Sequence, residues 1–222
     1  MFGFYKLYIM VYCTLVYGEE LHDLHSKELD KFSETHDLIV LTNLPQYFLN
    51  AETILYERNE FSYYEKLPFL FSLVKEHKNR VVYFDVDSID LVKDKNFGFD
   101  NKSAYSYKIF KNTDYTDTQL RTDDGLNILC DIYSELGYEM CDYLHERIIS
   151  IPYSQKIDKM FKEIVKLQPV FEENYSKGKK WKSYDFKRYS KIGCGYGEGG
   201  ALSIILKNNN INILPLIEKN LI

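Results

Sequence analysis

Cysteine is scarce in this sequence, and its four cysteines, Cys13, Cys130, Cys141 and Cys194, include no CxxC pair. Structural zinc sites need closely spaced cysteine or histidine ligands, and disulfide frameworks belong mainly to short secreted chains. With 222 residues, 45% of them hydrophobic, the chain can form a sizeable core without such cross-links. We therefore expect no zinc site, no disulfides and a reducing, cytoplasmic compartment.

The sequence also lacks a hydrophobic run long enough to cross a bilayer, which takes about 20 residues. Its apolar N-terminal stretch, residues 2–16, is interrupted by Lys6. That stretch has neither the basic start nor the small-residue cleavage site of a signal peptide. We interpret it as containing a buried first strand and predict no transmembrane segment.

The chain also has no excess of positive charge. The formal net charge is −5, and the only basic cluster is at residues 177–182. Nucleic-acid binding depends on a basic surface that neutralises phosphates, so we expect no nucleic-acid partner. There is also no internal repeat and no low-complexity linker, which favours a single domain over residues 1–222.

The most informative stretch is RVVYFDVDSID at residues 80–90. The apolar run 81–84 predicts a buried strand, and Asp85 and Asp87 follow it directly. If the strand continued through them, its alternation would place both carboxylates on one side, at the strand's carboxyl end. An Asp-x-Asp pattern also occurs by chance on solvated loops, but here an apolar strand precedes it. Two adjacent carboxylates favour a hard divalent ion that carries phosphate oxygens, so we predict a metal–phosphate site.

Strand and helix patterns alternate along the chain. Predicted strands cover residues 6–13, 37–42, 53–56, 81–84, 104–110, 146–151 and 211–214. Predicted helices cover residues 19–35, 60–77, 126–136, 153–167 and 201–207. Segments 14–18, 177–191 and 193–200 are predicted loops. This order is typical of an α/β fold with a mostly parallel central sheet flanked by helices.

Five segments, taken in order, resemble a GT-A type nucleotide-sugar glycosyltransferase: YIMVYCTLVYGEEL, LTNLP, YYEKLPFLFSL, VVYFDVD and GEGGALSIIL. The DVD is the specific motif among them. The other segments match only in their order along the chain and in their general residue character. The resemblance covers most of the chain. It implies one Rossmann-like GT-A domain, with a nucleotide-sugar-binding half at 1–92 and an acceptor-binding half at 93–222.

The same resemblance implies roles for individual residues. Asp87 would ligate Mn²⁺ or Mg²⁺ bridging the donor phosphates, and Asp85 would contact the ribose, or the metal through water. The 14–17 loop would hold the nucleobase, with Tyr17 as a stacking surface, and Lys66 would reach the diphosphate unless it is a solvated helix lysine. The implied donor-binding residues are Thr14, Val16, Tyr17, Lys66, Asp85, Val86 and Asp87, with Asp85 and Asp87 as metal ligands.

Glu198 is the candidate catalytic residue. It lies among glycines in GCGYGEGG, and glycine allows a substrate to approach closely. In an inverting enzyme Glu198 would take the proton of the acceptor hydroxyl, and in a retaining enzyme it would orient the acceptor or face the anomeric carbon. Alternatively the segment is a phosphate-binding loop in which Glu198 only complements the helix dipole.

The resembled class commonly adds a third metal ligand, often a histidine, near its C-terminus. None of the five histidines here follows Glu198, so another group or water would complete the coordination. Asp123 and Asp124 are candidates for this third ligand; alternatively they lie in a solvated turn.

The function implied is transfer of a sugar from a nucleoside diphosphate sugar to the hydroxyl of a glycan or another acceptor, with UDP favoured and GDP open. One alternative is a HAD-type Mg²⁺-dependent phosphatase, with Asp85 as nucleophile and Asp87 as acid/base. Against it, two strand–helix units precede the motif and no later acidic pair follows a strand. The other alternative is a non-catalytic nucleotide-sugar-binding module.

Overall fold

A computed structural model describes residues 10–58, 62–95, 97–110, 137, 143–180 and 198–216. The strands are β1 (Val11–Val16), β2 (Asp37–Thr42), β3 (Glu52–Leu55), β4 (Val81–Phe84), β5 (Ala104–Phe110), β6 (Tyr143–Ile151) and β7 (Ile213–Pro215). The α-helices are α1 (Glu19–Ser33), α2 (Lys66–His77), α3 (Ile157–Lys180) and α4 (Glu198–Asn208). Short 3-10 helices cover Pro45–Tyr47, Tyr63–Glu65 and Val86–Leu91.

The described strands form a seven-stranded sheet in the order β3-β2-β1-β4-β6-β5-β7. The first four of these pair in parallel, and β5 pairs in parallel with β7. Strand β6 is antiparallel to both of its neighbours, so it alone among the seven runs in the opposite direction. The predicted α/β class with a mostly parallel sheet is confirmed.

Strands β1 and β4 are buried along their whole length because helices cover both faces of the sheet. On one face, a core that includes Cys13, Phe71 and Tyr83 packs with helices α2, α3 and α4. On the other face, Val16 and Phe84 pack against residues of α1 and the 3-10 helix Val86–Leu91. Neighbouring residues of one strand therefore belong to opposite cores, as the two-residue period of a strand requires.

A buried arginine fixes the segment that leads into β5. The Arg80 guanidinium donates hydrogen bonds to Ser150 Oγ (2.7 Å) and to the carbonyl oxygens of Ser103 (2.9 Å) and Asp100. It also lies over the Phe99 ring, with Cζ 4.9 Å from the ring centre. Burial lowers the pKa of Arg80 to about 10, so the group stays charged at neutral pH and anchors this segment.

Several predicted strands are confirmed with their bounds, namely 37–42, 81–84 and 104–110. The predicted bounds of the first strand, 6–13, are wrong, because β1 begins at Val11 and ends at Val16. Residues 6–9 lie outside the described part. Strand β6 begins at Tyr143 rather than at 146, and β7 is Ile213–Pro215 rather than 211–214. The predicted short strand 53–56 corresponds to β3.

The helix predictions hold less well at their ends. The first helix is confirmed within two residues; in it Leu21 and Leu24 are exposed, whereas His22 and Asp30 are buried. The helix predicted at 153–167 is Ile157–Lys180, so residues 177–180 of the predicted basic loop are helical. Its Val165 is exposed. The helix predicted at 60–77 begins at Lys66. The predicted helix 126–136, Asp123 and Asp124, and residues 181–191 lie outside the described residues.

Candidate functional site

The sheet has a topological switch point between β1 and β4. From β1 the chain adds β2 and then β3 on one side, and it returns to place β4 on the other side. In open α/β sheets the crevice outside the carboxyl ends of two such strands is the usual ligand site. Here those ends carry Tyr17 and Gly18 after β1, and Asp85 and Asp87 after β4.

The turn after β1 is fixed by its backbone conformation and by side chains from α1 and the β2 end. Gly18 has φ +89°, which residues with a side chain rarely adopt, and its N–H donates to Asn43 Oδ1 at 3.0 Å. The buried His22 ring places Nδ1 2.6 Å from the Gly18 carbonyl oxygen and Nε2 2.5 Å from Thr42 Oγ1. Because a carbonyl oxygen only accepts, Nδ1 carries a proton. The sequence reasoning missed His22.

Thr14 and Val16 lie in β1, and their predicted placement in a loop is wrong. Both side chains are fully buried, and the Thr14 hydroxyl donates to the Phe84 carbonyl oxygen at 2.7 Å, which ties β1 to the end of β4. Any contact that these two residues make with a nucleobase would therefore come from the main chain.

Tyr17 is the part of the predicted nucleobase loop that does follow the strand. It is half-buried, and its ring meets the Tyr56 ring edge-on, with 5.5 Å between ring centres. Tyr56 is buried next to the end of β3, and burial is the main cause that raises the pKa of its phenol. The pair provides an aromatic wall at the carboxyl edge of the sheet.

Asp85 comes directly after β4 and is held by three groups. Its N–H donates to the Arg147 carbonyl oxygen (2.9 Å), which fixes the backbone against β6. Its Oδ1 lies 2.8 Å from Lys66 Nζ and accepts a hydrogen bond from the Tyr83 hydroxyl at 3.0 Å. The Lys66 side chain is only 6% exposed, compared with 30% for Asp85. Both side-chain contacts of Asp85 use Oδ1.

Lys66 is the first residue of α2, at the same edge of the sheet, and it is not the solvated helix lysine that the sequence left as an alternative. Val86, also proposed as a donor-binding residue, is buried in the core beside α1. The structure brings Lys66 and Asp85 together, and it places Val86 away from the surface.

Asp87 lies in the 3-10 helix Val86–Leu91, so the expected continuation of the strand through both aspartates is wrong. Its side chain is 66% exposed. Asp87 Oδ1 accepts a hydrogen bond from Ser88 Oγ (3.0 Å), and Oδ2 lies 3.9 Å from Arg147 Nη2. Arg147 Nε in turn donates to Ser88 Oγ at 2.5 Å. Neither Ser88 nor Arg147 was predicted from the sequence; pairing of β6 with β4 brings Arg147 to this edge.

The donor set fits a hard divalent cation. Asp85 and Asp87 offer carboxylate oxygens, which Mg²⁺ and Mn²⁺ prefer. Within the described residues, no group of three or more histidines, cysteines, aspartates and glutamates is placed to hold a metal ion. Mg²⁺ commonly needs only one or two protein carboxylates when substrate phosphates supply further ligands. The exposed Asp87 suits that mode best.

Glu198 is the first residue of α4, so the prediction that it lies in a loop ahead of a helix starting at 201 is wrong. Helix α4 ends shortly before β7, which starts at the amino edge of the sheet, so the helix N-terminus is directed toward the carboxyl edge. Leu144 N–H donates to Ser203 Oγ at 3.1 Å and ties the helix to β6. Glu198 therefore lies at the helix end that is directed to the same edge of the sheet as the two aspartates. The Glu198 side chain lies outside the described part.

No protein-family model matches the sequence, and no curated protein matches it. Among solved structures, the glycosyltransferase GlyE of Streptococcus pneumoniae is similar, with 10% identity, a TM-score of 0.41, and coverage of 92% of this chain and 44% of that one. The bifunctional IspDF of Campylobacter jejuni is similar with 15% identity, a TM-score of 0.37, and coverage of 70% and 42%. This chain thus matches less than half the length of either protein.

No helix among the described residues is both long enough and apolar enough to span a membrane.

Proposed function

We propose that this protein is a metal-dependent glycosyltransferase that moves a sugar from a nucleoside diphosphate sugar to an acceptor hydroxyl. The observation that supports this best is the pair Asp85 and Asp87 at the switch point of the sheet, with Lys66 and Arg147 beside them. Carboxylate oxygens that solvent can reach, next to the Arg147 guanidinium, match a metal-bound diphosphate, in which the metal is positive and the phosphates are negative. UDP is the favoured nucleotide, and GDP is the alternative.

The residues of the chain have separable tasks in this proposal. Asp87 holds Mn²⁺ or Mg²⁺, and Asp85, oriented by Lys66 and Tyr83, contacts the ribose or a water on the metal. The bound metal supplies Lewis-acid stabilisation of the departing diphosphate. Tyr17 presents its ring to the nucleobase.

The acceptor side of the site is assigned to Glu198. In an inverting reaction its carboxylate accepts the proton of the acceptor hydroxyl as the new glycosidic bond forms and the diphosphate leaves. The N-terminus of α4 is directed toward the carboxyl edge of the sheet, the edge that carries the aspartates, which supports this role. The proposal places one domain over residues 1–222, with the donor half at 1–92 and the acceptor half at 93–222.

The test is calorimetric titration of the purified protein with UDP and with GDP, each in the presence of Mn²⁺ and of EDTA. We expect one of the two nucleotides to bind, and to bind more tightly with Mn²⁺ than with EDTA. If neither binds, the transferase proposal is wrong. Hydrolysis of small phosphate esters with Mg²⁺ would then assign the two aspartates to a phosphatase.

A further inference from the structure

Arg147 forms a polar cluster with Asp87 and Ser88, and it was not predicted from the sequence. Strand β6 pairs antiparallel with β4, and Phe84 lies opposite Ile148, so Arg147 is next to the point where β4 ends. The hydrogen bond from Asp85 N–H to the Arg147 carbonyl oxygen fixes this backbone position. The Arg147 side chain therefore extends from a sheet strand, which is a rigid support, and its Nη2 lies 3.9 Å from Asp87 Oδ2.

The guanidinium is oriented by a buried serine. Ser88 is fully buried, and its Oγ accepts from Arg147 Nε while donating to Asp87 Oδ1. The Tyr107 ring is also near, with its centre 5.9 Å from Arg147 Cζ. With Nε held by Ser88, Nη2 points toward Asp87 Oδ2.

The contact between Arg147 and Asp87 is long and accessible. Charge-assisted bonds between an Arg nitrogen and a carboxylate oxygen are usually about 2.7–2.9 Å long, whereas Nη2 and Oδ2 are 3.9 Å apart. The two side chains are 37% and 66% exposed, so an incoming ligand can reach both. Exposed ion pairs of this kind contribute little stability. A phosphate can therefore displace this pairing at small cost.

We propose that Arg147 is a diphosphate-binding residue that acts as the counter-ion of Asp87 until the donor and metal bind. Its planar guanidinium matches phosphate oxygens in a way that a lysine ammonium does not. Because Nη2 faces Asp87, the guanidinium would be within reach of phosphate oxygens bound beside that carboxylate. This role rests on the proposed function and deepens it, because it assigns the phosphate contact to Arg147 rather than to Lys66, which is buried against Asp85.

The proposal predicts that one substitution moves two affinities in opposite directions. Arg147→Gln removes a phosphate ligand, so the nucleotide that binds wild type should bind about tenfold more weakly, with Mn²⁺ and with EDTA alike. The same change removes a cation that competes for Asp87, so Mn²⁺ alone should bind more tightly than it does to wild type. A residue with a purely structural role would not strengthen metal binding when it is removed.

The experiment is calorimetric titration of wild type and variants with Mn²⁺ alone, and with UDP and GDP in EDTA and in Mn²⁺. Arg147→Lys keeps the charge without the planar group and should fall between wild type and Arg147→Gln. Lys75→Gln is the charge-matched control. Lys75 is in the last turn of α2, nine residues after Lys66, and it pairs with Asp158 away from the site. That control should leave all the affinities unchanged.

The outcomes separate this inference from the proposed function. If wild type binds a nucleotide and Arg147→Gln binds it equally well, the role of Arg147 is wrong and the transferase proposal stands. If Arg147→Gln weakens binding of both the nucleotide and Mn²⁺, Arg147 only supports the local structure and the inference is overturned. If wild type binds neither nucleotide, both proposals are wrong.

Discussion

Lys66 Nζ lies 2.8 Å from Asp85 Oδ1, and the two side chains differ sharply in exposure, at 6% and 30%. The lysine begins α2, and the aspartate follows β4, so the pair ties a helix N-terminus to the carboxyl end of a sheet strand. The Tyr83 hydroxyl donates to the same carboxylate oxygen. Asp85 is therefore held in place before any ligand arrives.

This asymmetry predicts unequal effects on stability. Asp85→Asn removes negative charge from beside a buried ammonium, and we expect a loss of about 3 kcal/mol in the free energy of unfolding. Lys66→Met should cost about 1–2 kcal/mol, because the Asp85 carboxylate that remains is partly solvated and keeps its Tyr83 hydrogen bond. Urea denaturation of both variants measures the difference. Equal losses, or a larger loss for Lys66→Met, would contradict this assignment of the buried partner.

Asp87 should affect metal-dependent nucleotide binding without affecting the fold. Because its side chain is largely exposed and its ion pair is long, we expect Asp87→Asn to change the free energy of unfolding by under about 1 kcal/mol. The gain in nucleotide affinity that Mn²⁺ gives wild type should disappear, and turnover should be lost. Calorimetry with Mn²⁺ and with EDTA measures this gain.

Asp90→Asn is the matched control for Asp87. Asp90 lies in the same 3-10 helix, is also exposed, and forms an ion pair with Lys93 rather than with Arg147. The control should keep the full effect of Mn²⁺. If both variants lose it equally, the effect is a general one of surface charge and Asp87 is not the metal ligand.

Asp100 predicts a pH dependence of stability. Hydrogen bonds from the backbone N–H groups of Ser103 and Lys102, and from the Ser103 hydroxyl, lower the pKa of Asp100 from 3.8 to about 2. Since the folded state binds this proton less readily than the unfolded state, the contribution is present above pH 3.8 and is lost as the pH falls to about 2. The difference in unfolding free energy between wild type and Asp100→Asn should therefore narrow over that range.

Urea denaturation at about pH 5 and about pH 2.5 tests this. Ser103→Ala removes one of the donors, the hydroxyl at 2.8 Å, and leaves the backbone donors in place, so it should show a smaller version of the same trend. A difference that stays constant or widens on acidification would mean that these hydrogen bonds do not favour the ionised carboxylate.

The parts of the fold that the sequence predicted well are those set by local pattern. The run Val81–Phe84 is bounded by Arg80 and Asp85, and its strand was predicted with the correct ends because an apolar β-branched and aromatic run leaves few alternatives. The bounds of β1 were wrong because Thr14 and Val16 were assigned to the loop, although both are β-branched residues that favour a strand.

The site was predicted in part, and the missing part is non-local. Asp85 and Asp87 are neighbours in the chain, so a short motif reveals them. Ser88 and Arg147 are 59 positions apart and meet only because β6 pairs with β4. No periodicity or motif in one sequence encodes that register, so Arg147 could be identified only from the folded chain. The strand 146–151 that carries it was predicted, but its partner was not.

Glu198 was predicted from its glycine-rich surroundings, and the structure changes its context. Glycine is a poor helix former, so the predicted helix began at 201. Helix α4 nevertheless includes Gly199 and Gly200, which are buried, and Ser203 Oγ donates to the Gly199 carbonyl oxygen at 2.7 Å. Packing against β6 therefore overrides local propensity, and Glu198 becomes the N-terminal residue of a helix.

This position makes the two hypotheses for Glu198 distinguishable. If its carboxylate is the acceptor-side base, Glu198→Gln should leave nucleotide affinity with Mn²⁺ near that of wild type and reduce turnover by about 100-fold or more. If it only complements the helix dipole, the variant should lose about 0.3–1 kcal/mol of stability and keep its turnover. Transfer assays and urea denaturation on the same preparations measure both quantities.

Glu163→Gln provides a comparison outside the site, because Glu163 is on α3 and accepts a hydrogen bond from Asn209 Nδ2 at 2.8 Å. It should lower stability by at most about 1 kcal/mol, because Asn209 would then donate to a neutral amide oxygen instead of a carboxylate, without a specific effect on turnover. Full activity of Glu198→Gln would rule out the catalytic role and leave Glu198 as a helix-terminal charge. A turnover loss shared by both variants would point to weakened packing of α4 rather than to a lost base.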